Sequence, residues 1–222
     1  MKEKTKQSNF DECLTKAIED AFKQLTKPFP EAGLPGLEPL EIPSLVISAG
    51  SGPVAFEQNY QELRLSGFTK ISCTQAKMDF ALNKLTMQCS FPKIVMDFKY
   101  DINGKILLLP VYGKGPGTIT LFDLGYDLTF SLEEYEKKGS KHYKLVEGKL
   151  KMDPKKMTFK LDNLFNGDKA LGDNVLQVMN ENWAEVFADV KSSYEDAFAQ
   201  VASGIFGNLL AKVPAAEIFG GD

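Results

Sequence analysis

The stretch Leu85-Thr86-Met87-Gln88-Cys89-Ser90-Phe91-Pro92-Lys93-Ile94-Val95-Met96-Asp97-Phe98-Lys99-Tyr100 carries two runs of strict alternation. Leu85, Met87, Cys89 and Phe91 alternate with Thr86, Gln88 and Ser90. Ile94, Met96, Phe98 and Tyr100 alternate with Asp97 and Lys99. A period of two is the signature of a strand with one apolar and one wet face. Phe122, Leu124, Tyr126, Leu128 and Phe130 form a further stripe of the same kind. Turn signals separate such runs from 44 to about 162: Gly50-Ser51-Gly52-Pro53, Ser66-Gly67, Asn103-Gly104, Gly113 to Gly117, Lys138-Gly139-Ser140 and Asp153-Pro154. The spacing predicts long antiparallel hairpins. Ile119 and Leu121 fall out of phase with Phe122 onward, which predicts a bulge near that point.

Outside this region the period changes. Phe10, Leu14, Ala17, Ile18, Ala21, Phe22 and Leu25 follow helical spacing, so 9–26 reads as a helix, with Asn9 and Glu12 in a capping-box pattern. Pro28 and Pro30 stop it, and residues 28–43 hold five prolines with Phe29, Leu34, Leu37, Leu40 and Ile42. That segment reads as an extended connector with apolar groups to bury. From 168 to about 206, Val175, Met179, Trp183, Val186, Phe187, Val190, Tyr194, Phe198, Val201 and Ile205 step by three and four. They predict one long helix of roughly 50 Å. Its single apolar stripe needs an equally long partner, and the apolar face of the sheet is the only one in the chain. One helix leaves part of so long a face uncovered, so an elongated cavity is expected between them. The tail Val213 to Phe219 is expected to close one end.

Composition narrows the function. Hydrophobic residues make up 43% and charged residues 25%, as in a globular domain, and the net charge of -4 argues against nucleic acid as a partner. No apolar run reaches the length of a membrane span, so stable membrane insertion is not expected. Met1 to Gln7 reads as a polar tail, which fits either a cytosolic chain or a mature secreted one with an added initiator Met.

The chemistry of catalysis is not assembled anywhere. Tyr112-Gly113-Lys114-Gly115-Pro116-Gly117 lacks the Lys-Ser/Thr of a phosphate loop and reads as a hairpin turn. His142, the single histidine, stands among charged residues and is expected at the surface. One His and three Cys offer no metal set of usual spacing, and Asn166-Gly167-Asp168 with Asp173 reads as a helix start rather than a calcium loop. Neither a metal, a cofactor nor a catalytic residue is expected. Cys89 shares the phase of Met87 and Phe91, while Cys73 is opposite in phase to Met78 and Phe80. A Cys73–Cys89 bond is therefore not expected unless a bulge resets the phase.

Several segments together resemble the insect takeout and juvenile-hormone-binding protein family. They are Asn163-Leu164-Phe165-Asn166-Gly167-Asp168-Lys169-Ala170-Leu171-Gly172-Asp173-Asn174 with Asn180-Glu181-Asn182-Trp183; Cys13-Leu14 with Ala17-Ile18-Glu19; Glu38 to Pro43; and Asp101 to Gly117. The resemblance spans essentially the whole chain, 1–222, as one domain. It implies an α+β fold in which a strongly curved antiparallel sheet wraps a long C-terminal helix, half of a tubular lipid-binding fold, with a short N-terminal helix. It also implies a secreted monomeric carrier, of haemolymph or sensory tissue, for a small lipophilic ligand that is fatty-acid-like or terpenoid. The family usually places a cysteine shortly before position 13, and residues 1–12 hold none. The hormone carriers proper also carry a second disulfide to the C-terminal helix, and no cysteine follows Cys89. This favours the takeout-like branch over a carrier of juvenile hormone itself. A protein-interaction module with a filled core is the rival reading.

The expected ligand-lining residues come from the inward stripes. On the strands they are Leu45, Phe56, Met78, Phe80, Met87, Phe91, Met96, Phe98, Leu121, Tyr126, Leu128 and Phe130. On the helix they are Val175, Met179, Trp183 and Phe187.

Overall fold

The computed structural model describes residues 9–220 except 53, 55 and 108. The polar start Met1 to Gln7 and Pro53 of the turn Gly50 to Pro53 lie outside them. Helix α1 (Phe10–Gln24) precedes strands β1 (Leu40–Ile47), β2 (Gln58–Ser66), β3 (Ser72–Asp79), β4 (Lys84–Ile106), β5 (Leu109–Lys137), β6 (Ser140–Asp153) and β7 (Lys156–Leu161). Helices α2 (Lys169–Glu181), α3 (Trp183–Lys212) and α4 (Ala215–Phe219) complete the chain.

Strands β4 and β5 form the spine of a seven-stranded sheet. They pair in one unbroken register from Lys84↔Ser131 to Ile106↔Leu109. Each is long enough to take two neighbours on its outer edge. β3 and β2 share β4, and β6 and β7 share β5. The spine changes phase near its middle. Leu85, Met87, Cys89 and Phe91 face the core, and then Ile94, Met96, Phe98 and Tyr100 do. On β5 the change falls between Leu121 and Leu124, opposite the same point of β4. Pro92 supplies no N–H there, and Asp123 takes a left-handed φ of 46°. Both strands flip together, so the break leaves their mutual register intact. It lies two residues beyond Leu121 and turns Phe122 to the outer face, with the Lys93 ammonium 5.9 Å from its ring centroid.

Three other expectations are corrected. The glycines from Gly113 to Gly117 do not turn the chain, and neither does Asn103-Gly104. Both lie inside strands, and the reversal falls between Ile106 and Leu109. A Cβ on Gly115 would sit 2.5 Å from the Asp162 carbonyl oxygen, and one on Gly117 the same distance from the Phe98 ring. These glycines let β7 and the chain after it lie against β5. The single long helix is two helices. The Asn182 amide donates to Val178 O at 2.8 Å and the backbone there leaves helical geometry, φ -108° and ψ 25°. A side chain competing for backbone groups ends one helix and starts the next. α3 then runs on to Lys212, where Val213-Pro214 stops it. Asn9, proposed as a cap for α1, makes no side-chain capping bond, whereas Asp168 caps α2 through Leu171 N.

Cys73 and Cys89 are bonded. They stand opposite each other on β3 and β4, and the pairing slips between Cys73 and Gln75. That slip is the phase reset the alternation lacked. His142 is 5% exposed, because α3 covers β6 at this point, and its Nδ1 lies 3.3 Å from Leu210 O. Its charged neighbours Lys141 and Lys144 remain exposed.

Helical side chains reach several strand edges. Thr15 Oγ1 and Glu19 Oε1 accept from the N–H groups of Ala76 and Cys73, tying α1 to β3 at 2.8 and 2.6 Å. Glu195 of α3 accepts from Met152 N of β6 at 2.8 Å. Asn180 of α2 accepts from Phe159 N and donates to Phe159 O on β7. The connector after α1 is held by Glu38, whose carboxylate accepts from the N–H groups of Gly67 and Thr69.

Candidate functional site

The sheet curls around α3 but does not close on it. Between them lies a cavity of about 1230 Å³. Its floor is the first half of the spine. Leu85, Met87, Cys89 and Phe91, then Ile94 and Met96, come from β4, with Leu121, Leu124, Tyr126, Leu128 and Phe130 from β5. Alternation selects these residues, and the phase break keeps the inward face apolar on both sides of Pro92. The C-terminal half of α3 forms a wall through Phe198, Val201, Ala202, Ile205, Phe206 and Leu209. The Phe206 ring stacks on Phe130 at 5.0 Å. Leu14, Ile18 and Phe22 of α1 form the opposite wall, and Leu25, Phe29, Leu34 and Leu37 after it continue it. α4 plugs one end, with Phe219 packed edge-on against Phe80 and Tyr143.

The polar groups are few and segregated. Asp20, Gln24, Lys27, Glu31, Lys212 and Glu217, all exposed, border the cavity where α1, the connector and the end of α3 meet. They mark its mouth. On the floor, Tyr126 brings a hydroxyl into apolar surroundings. Burial alone pushes its pKa up, with no hydrogen bond contributing. The cavity removes apolar surface from water, and it offers one hydroxyl to an oxygen of whatever enters. No group of three or more His, Cys, Asp or Glu that could hold a metal occurs among the described residues.

Of the expected lining residues, Met87, Phe91, Met96, Leu121, Tyr126, Leu128 and Phe130 border this cavity. Phe56, Phe98 and Met179 border a second one of about 50 Å³, farther along the sheet. Leu45, Met78, Phe80, Val175, Trp183 and Phe187 border neither and pack in the core or against it. The helical part of the expectation was centred too early. Residues 175–187 face the narrow end, and the wide end belongs to 198–209. The α1 and connector residues were missed as lining. Their apolar spacing was visible, but nothing local to it tells a helix that covers a cavity from one that covers a filled core.

Residues 2–220 match the family model described as Haemolymph juvenile hormone binding protein (JHBP). The circadian clock-controlled protein daywake of Drosophila melanogaster is 28% identical over 217 residues, 94% of this chain and 84% of that protein. Daywake of Drosophila yakuba is 25% identical over the same length. The crystal structure of Takeout 1 from Epiphyas postvittana superposes with a TM-score of 0.82 at 25% identity, covering 93% of this chain and 94% of the other.

Proposed function

This chain belongs to the haemolymph juvenile hormone binding protein family, and from that premise we propose that it is a secreted carrier for an elongated, fatty-acid-like or terpenoid ligand. The observation that carries the reading is the cavity of about 1230 Å³ lined by Leu, Ile, Met and Phe. Each buried methylene contributes about 0.8 kcal/mol. A dozen of them supply roughly 10 kcal/mol before the entropic cost of binding is subtracted, so no charged anchor is required. Tyr126 is the donor for an ester, epoxide or carbonyl oxygen of the ligand. The Cys73–Cys89 bond supports an oxidising, extracellular compartment. A cavity of this size disfavours a module whose core is filled by its own side chains.

The test is native mass spectrometry of the purified protein, followed by extraction and reloading with palmitate or a sesquiterpenoid ester. A stoichiometric lipophile, found or loaded, supports the carrier. A folded protein that repeatedly accepts neither class refutes it.

A further inference from the structure

The two cavities lie in series. On β4 the large one ends at Met96 and the small one begins at Phe98. On β5 the same boundary falls between Leu121 and Ile119, and on the helices between Phe198 and Val186. Behind Met96, Leu121 and Phe198 of the large cavity stand Tyr60 and Phe98, which line the small one, and Tyr194, which lines neither. Tyr60 of β2 and Tyr194 of α3 come from opposite walls, are 5% and 2% exposed, and join hydroxyl to hydroxyl at 2.5 Å. Tyr60 packs on Phe98 with ring centroids 4.5 Å apart, and Tyr194 packs on Phe198 at 6.1 Å. With one proton on each hydroxyl, Tyr194 donates to Tyr60 and Tyr60 donates to Gln58 Oε1 at 2.7 Å. The Gln58 Nε2, by contrast, is buried without a partner. A fully apolar seam would have closed this point without leaving a donor unpaired.

We infer that the Tyr60–Tyr194 pair is a partition that sets the greatest length of ligand the carrier takes, an inference that rests on the carrier reading. A chain lying along the floor from the mouth gains affinity with every methylene it buries until its end meets Phe198, which the Tyr194 ring backs. Methylenes beyond that stay in the mouth and in water, where they add nothing. The hydrogen bond between the tyrosines makes the partition resistant. Pushing the rings apart would take the Tyr194 hydroxyl from its acceptor in a buried site. Tyr60 and Tyr194 are thus specificity-determining residues that select chain length rather than head group.

Saturated fatty acids from laurate to lignocerate, competing against a fluorescent lipid probe, read this directly. In the wild type, affinity is expected to rise roughly fourfold per added methylene and then level off at one chain length. In Tyr194→Ala, and independently in Tyr60→Ala, the large and small cavities join and the rise continues to longer acids. Tyr194→Phe keeps the ring and levels off where the wild type does. An unchanged levelling length in a folded alanine variant overturns the partition while leaving the carrier standing, because the shorter acids still bind. Failure of every acid to bind the folded wild type removes the carrier reading and the partition with it.

Discussion

The carboxylate of Asp189 on α3 receives the backbone N–H of Val54 at 2.7 Å and, through its other oxygen, that of Gly52 at 2.8 Å. One side chain therefore pins the segment between β1 and β2 across the narrow end of the molecule. Gly50 passes so close that a Cβ there would overlap the carboxylate. Asp189→Ala removes both acceptors and is expected to cost about 1–3 kcal/mol. Hydrogen exchange should show the Gly52 and Val54 amides losing protection while the β4 and β5 amides keep theirs. Asp189→Asn, which retains one acceptor oxygen, should fall between.

The cysteines give a countable prediction. Cys13 is exposed and free, while Cys73 and Cys89 are bonded. A thiol reagent should therefore titrate one group in the native protein, and all three cysteines after reduction and unfolding. Replacing both Cys73 and Cys89 by Ser is expected to lower stability by about 2–4 kcal/mol, measured as a lower urea midpoint. A native count of three would refute the bond.

Alkaline pH should unfold the protein at a definable point. Burial raises the pKa of Tyr60, Tyr126 and Tyr194 well above the ordinary phenol value. Burial, with the Asp162 carboxylate nearby, pushes Tyr100 up to about 12, and Tyr143 is raised in the same direction. These phenols hold their protons in the folded chain above the pH at which the unfolded chain releases them. The stability they contribute is complete below about pH 10 and is lost as pH rises beyond it. Urea midpoints should be level up to about pH 9 and fall steeply above pH 10. Phenolate absorbance of the buried tyrosines should appear with unfolding rather than before it.

Trp183 offers a negative control for ligand binding. It lies at the start of α3, half-buried and bordering neither cavity. Its emission maximum should stay in place while a lipid probe saturates the large cavity. A clear shift at saturation would place the ligand at the narrow end instead.

The architecture was legible because its signals are local and repeated. The period-two runs of 85–100 and 122–130, set against helical spacing in 10–25 and 175–205, name a sheet and two helical regions. What could not be read depends on residues distant in sequence. The strand identity of Gly113 to Gly117 depends on the chain around Asp162 needing room beside it. The burial of His142 depends on α3 lying over β6. The Cys73–Cys89 bond depends on a slip of one residue in pairing. Of the site, the floor was readable from alternation, since a strand has only two faces to choose from. The position along α3 at which the core gives way to a cavity was not, because Phe187 and Phe198 lie on the same stripe with the same chemistry.

An open curved sheet has free margins, and free margins recruit other strands. Here several of their backbone groups are taken from within. Thr15 and Glu19 take the N–H groups of β3, Asn180 both groups of Phe159 on β7, and Glu195 the N–H of Met152 on β6. On β1, Pro43 has no N–H to offer. Side chains that fasten the helices to the sheet thus also take up backbone groups that a foreign strand would need.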